Sequence, residues 1–94
     1  MAFWVKTFNE DLGHKLFKNM NCDTPVEGAA NAVALAQELS KQHREEFVVS
    51  TNARHWARFV GGKVETFWAW EHFYTGEASE EYRALEKAIR TVIS

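Results

Sequence analysis

The chain has 94 residues, 46% of them hydrophobic and 26% charged, with eleven Lys and Arg against thirteen Asp and Glu for a net charge of -2. These proportions are those of a folded domain and exclude fibrous and disordered classes. The balance is too even for nucleic-acid binding by bulk field, and the single cysteine, Cys22, excludes an intrachain disulfide framework. The opening Met-Ala-Phe-Trp-Val-Lys lacks the basic start and apolar run of a signal peptide, no stretch approaches the ~20 apolar residues of a membrane span, and a cytoplasmic setting is expected.

Phe3 to Phe8 reads as a strand. Leu12, Leu16, Phe17 and Met20 fit either a second strand or a helix interrupted by Gly13, and we favour a hairpin turning through Asn9-Glu10-Asp11-Leu12-Gly13. Thr24-Pro25-Val26-Glu27 has the form of a capping box with proline at the first helical position. The alanine-rich run from Ala29 through Leu39 then extends a helix whose small side chains let it lie close to a sheet, fading near His43 to Glu45.

Phe47 to Thr51 is short and β-branched, as strands are. Asn52 to Val60 is ambiguous. Ala53, Trp56, Ala57 and Val60 follow helical spacing, yet a strand joined to the next by Gly61-Gly62 pairs Arg58 with Glu65, Trp56 with Phe67 and Phe59 with Val64. We favour the hairpin. The strand after it is expected from Lys63 to about Phe73, with Val64, Thr66, Trp68, Trp70 and His72 facing the core. Ser79 to Ile93 is the clearest helix, because Tyr82, Leu85, Ile89 and Val92 recur at helical spacing while acids lead and bases close it.

The chain therefore predicts a single α+β domain over residues 1–94: a small antiparallel sheet of about four to five strands with two helices packed on one face. The predicted order is strand, strand, helix, strand, strand, strand, helix.

Chemistry leaves little trace in the residue spacing. There is no phosphate-binding glycine loop, no Gly-x-Ser-x-Gly elbow, no Cys-x-x-Cys and no His-Glu-x-x-His. His14, Cys22, His43, His55 and His72 come from separate elements, so a metal would require folding to gather them, and no cofactor or metal is expected. Adjacent acids such as Glu10-Asp11, Glu45-Glu46 and Glu80-Glu81 suit solvated element ends better than an acid and base facing one bond. No catalytic residue is assigned, and the chain is not read as an enzyme.

The unusual feature is aromatic density between Trp56 and Tyr74. In the hairpin reading, Trp56 and Phe67 emerge on an open sheet face beside Arg54, Arg58 and Lys63, an apolar centre in a polar rim. The leading expectation is a non-catalytic protein-interaction domain, self-associating or binding another protein through that face or an edge strand. Single-stranded nucleic-acid binding is the alternative, with Trp56 and Phe67 stacking on bases and Arg54, Arg58 and Lys63 meeting phosphates. A third is a small-molecule pocket lined by Trp68, Trp70, His72 and Tyr74.

Overall fold

A computed structural model describes residues 2–51, 54–68 and 79–93. Among them the elements run β1 (Ala2–Thr7), α1 (Glu10–Phe17), β2 (Asp23–Glu27), α2 (Ala29–His43), β3 (Glu46–Thr51), β4 (Arg54–Val60), β5 (Lys63–Phe67) and α3 (Ser79–Ile93). The five strands form one antiparallel sheet in the order β2-β1-β3-β4-β5, so the protein has the expected α+β architecture with one additional helix.

Two expected elements are exchanged. The hairpin expected through Asn9 to Gly13 is instead the start of α1. Asn9 accepts from the Leu12 backbone N–H at 3.1 Å, its carbonyl accepts from Gly13 at 2.8 Å, and Glu10 and Asp11 lie at the positive end of the helix. The missing strand comes one segment later, because Thr24-Pro25-Val26-Glu27 is extended and belongs to β2. Pro25 is tolerated there since β2 is an edge strand, where a missing N–H costs the ladder nothing on its outer side. Gly28, at a φ of 87° that favours glycine, then turns the chain into α2.

Alternation along β1 separates two faces. Phe3, Val5 and Thr7 are buried against the helices, and their partners Val49 and Phe47 on β3 continue that face. The core joins them to Ala29, Ala32, Val33 and Ala36 of α2, to Trp56, Ala57 and Phe59 of β4, and to Leu85 and Ile89 of α3. Leu12, Leu16 and Phe17 of α1 close one end, where the Phe17 ring meets Phe47 edge-on. The expected span and burial of α3 agree with the structure. The Gly61-Gly62 hairpin also forms, and Phe59 stands opposite Val64 as expected.

Two irregularities break the period of two. Val49 pairs with Ala57 and Ser50 with His55, which leaves Trp56 as the additional residue of a bulge; Arg58 pairs with Thr66 and Phe59 with Val64, which does the same for Glu65. Each bulge reverses the inward and outward parity of the residues beyond it.

Candidate functional site

The five residues expected to form an open-face site do not meet. Trp56 is fully buried rather than exposed: its indole N–H donates to the Thr51 hydroxyl at 2.7 Å, and its ring stacks on Tyr82 with centroids 5.4 Å apart. Phe67 is half-buried against the core cluster, opposite Ala57 rather than Trp56, and the Arg90 guanidinium lies 5.1 Å from its ring centre. Arg58 belongs to the other face, held by Glu46 at 3.5 Å and by Glu65. Arg54 is exposed at the start of β4, and Lys63 is exposed beside the Gly61-Gly62 turn. The bulge at Trp56 is the physical reason, because it turns that indole inward together with Ala57.

The same bulges build a different aromatic cluster on the sheet face away from the helices. Trp4 and Lys6 alternate with the buried residues of β1 and are half-buried. Phe8, just past the strand, is 54% exposed; its ring meets His55 edge-on at 5.8 Å, and His55 in turn meets Trp68 at 6.0 Å. The Lys6 ammonium lies 5.6 Å from the Phe8 ring centre and donates to the Asn21 carbonyl. Trp68 is fixed by its backbone N–H, which donates to the Trp56 carbonyl at 2.9 Å and carries the β4–β5 pairing one residue beyond Phe67. Trp68 therefore lies across the sheet from Val64 and Phe67, not beside Val64 as alternation alone predicts.

Charges on this face are mixed. Lys6 stands opposite Asp23 on one side and Val48 on the other, and Val48 stands opposite Arg58, which Glu46 and Glu65 neutralise. Such a row offers no net positive field to a phosphate chain. Sequence alternation in β1 holds the signal for this cluster, since Trp4, Lys6 and Phe8 share one parity, though it is fainter than the aromatic density from Trp56 to Tyr74.

Trp70, His72 and Tyr74, expected to line a pocket with Trp68, lie outside the described residues. Among the described residues no three His, Cys, Asp or Glu side chains gather as metal ligands, and no helix is long and apolar enough to cross a membrane. Cys22 is buried beneath α1 with its thiol 3.8 Å from the Glu10 carbonyl. Comparison with known proteins finds no family model, no curated protein and no solved structure that matches the chain.

Proposed function

We propose that this chain is a non-catalytic protein-interaction domain that docks a protein partner on the sheet face away from its helices. The observation that carries the reading is the continuous contact of Phe8, His55 and Trp68, ending in a phenylalanine more than half exposed. Aromatic anchors supply much of the energy of protein interfaces, and a rim of opposite charges such as Lys6, Arg58, Glu46 and Glu65 gives such an interface orientation. The mixed rim favours a protein over single-stranded nucleic acid, which needs a positive groove beside its stacking platform.

A photo-crosslinking phenylalanine analogue introduced at position 8 tests this in cells. The expected result is a protein adduct of defined mass from position 8 that does not form from position 20, where Met20 is 91% exposed elsewhere on the surface. Identical adducts from both positions, or none from position 8, overturn the proposal. A salt-sensitive change in tryptophan fluorescence on adding oligonucleotides would replace it with the nucleic-acid reading.

A further inference from the structure

The helix layer carries a second surface, on the opposite side of the sheet from the aromatic cluster. α2 and α3 lie side by side and run the same way: Ala29 stands near Glu80, Glu81 and Ala84 at their amino ends, and Gln37 near Thr91 and Val92 toward their carboxyl ends. Between them is a groove of about 550 Å³ whose walls are largely the small or apolar side chains of Ala30, Val33, Ala34, Ala84, Ala88 and Val92. Ala30, Ala34 and Ala84 are exposed. Methyl side chains at these positions let another helix approach to the short end of helix packing distances, about 8 Å between axes.

We propose that this groove is the contact surface of a homodimer, in which a second copy lays the same pair of helices across it about a two-fold axis. The charge layout selects that occupant. Glu27, Glu80 and Glu81 border the end of the groove near the helix amino termini, whereas Lys87 lines it and Lys41 lies one turn beyond Gln37 toward the other end. The acids of β2 and of the first turn of α3 therefore gather at one end of the surface, while Lys87 and Lys41, with the exposed Glu38 of α2 beside Lys41, lie toward the other. The dipoles of the two parallel helices add in the same sense. A two-fold axis across the groove sets the acidic end of each copy over the basic end of its mate, satisfying both ends with one contact repeated twice. Stacking in the same direction would set like charge on like. As for any association of two copies, formation of the dimer depends on concentration.

Sedimentation velocity on the full chain over a broad concentration series tests this inference without reference to the sheet face. The expected result is a rise from the monomer to the dimer mass. Ala34→Glu, which places a charge on an exposed wall of the groove, should hold the chain as a monomer while its circular dichroism stays that of the wild type. Lys87→Glu should weaken the dimer at least several-fold, and adding Glu80→Lys in the same chain should restore it, because the swap rebuilds the pairing with opposite sign. A mass that stays monomeric throughout overturns the proposal. So does a dimer that survives Ala34→Glu or gains nothing from the charge swap, including one lost only in Phe8→Ser, which would place self-association on the sheet. Binding by an unrelated amphipathic helical peptide without any dimer would make the groove a site for other proteins and equally overturn it.

Discussion

The indole N–H of Trp56 donates to the hydroxyl of Thr51 across 2.7 Å, and both side chains are buried. A bulge brings them together, since an unbroken strand would place Trp56 on the face opposite Ala57. Thr51→Val keeps the shape but removes this acceptor from a buried donor, and should cost about 1–3 kcal/mol. Trp56→Ala also loses the stack on Tyr82 and leaves a cavity, so about 3–5 kcal/mol is expected. Thermal melts of both variants beside wild type check the order.

The pair on the far side of the sheet should behave in the opposite way. Phe8→Ser removes a ring that is already half in water, and its melting temperature should stay within a few degrees of wild type while binding to the crosslinked partner falls at least tenfold. Trp68→Ala should destabilise less than Trp56→Ala, because Trp68 is only half-buried and packs on His55 rather than inside the core. Parallel melts and titrations against the isolated partner separate the two effects.

Gly13 is buried in the middle of α1 although alanine is the better helix former. A Cβ there would stand 2.3 Å from the Cys22 Cβ and 2.6 Å from its sulfur. Gly13→Ala should therefore destabilise, its propensity gain of about 1 kcal/mol being outweighed by the clash. Cys22 has a φ of 59°, so Cys22→Gly both relieves backbone strain and removes the two closest atoms, leaving the Cα at 3.1 Å as a milder contact. Urea midpoints of the two single variants and the double variant should show Gly13→Ala tolerated only when Cys22→Gly is present.

The Gly61-Gly62 turn is tied to α2 at two points. The Gly62 N–H donates to the Ser40 hydroxyl at 2.9 Å, and the Gln37 amide donates to the Gly62 carbonyl at 3.0 Å. Ser40→Ala should cost about 1–3 kcal/mol by stripping the acceptor from that N–H. Gly61 has a φ of 60° with open space around it, whereas a Cβ on Gly62, at a φ of 83°, would press within 3.2 Å of Lys41. Gly61→Asn should thus be nearly neutral and Gly62→Ala destabilising, as denaturant unfolding of each variant would show.

The sequence was legible where one local signal stood without a rival. Tyr82, Leu85, Ile89 and Val92 recur at helical spacing with no competing pattern, whereas the observed Gly61-Gly62 turn had to be chosen over the helical spacing of Ala53, Trp56, Ala57 and Val60 on the strength of its cross-strand pairs. It misled where a motif had two physical uses. Thr24-Pro25-Val26-Glu27 suits a helix start, but also an edge strand that Gly28 can turn out of the sheet. Asn9-Glu10-Asp11 suits a hairpin turn, but also a helix cap with acids at its positive end. Gly13 concealed α1 because its use is a contact with Cys22, nine positions further along the chain and invisible to local propensity. The candidate site was lost at the bulges: extra residues at Trp56 and Glu65 leave the composition unchanged while exchanging which aromatics face water.

The strand order also bears on how the chain reaches this state. β3, β4 and β5 are joined by neighbouring connections, but β1, which links them to β2, meets β3 only through partners forty or more positions apart, as in Val5 with Val49 and Thr7 with Phe47. That junction requires a long loop to close before any of its contacts is rewarded. α2 lies between the two strands in sequence and touches every strand of the sheet, so its formation shortens the search by carrying one half of the sheet toward the other. Folding speed should therefore be most sensitive to α2 and least to α1, which lies against β1 and β2 and reaches β3 through the Phe17 ring on Phe47. On a ribosome the amino-terminal half must wait for β3 to emerge before β1 gains its second neighbour in the sheet.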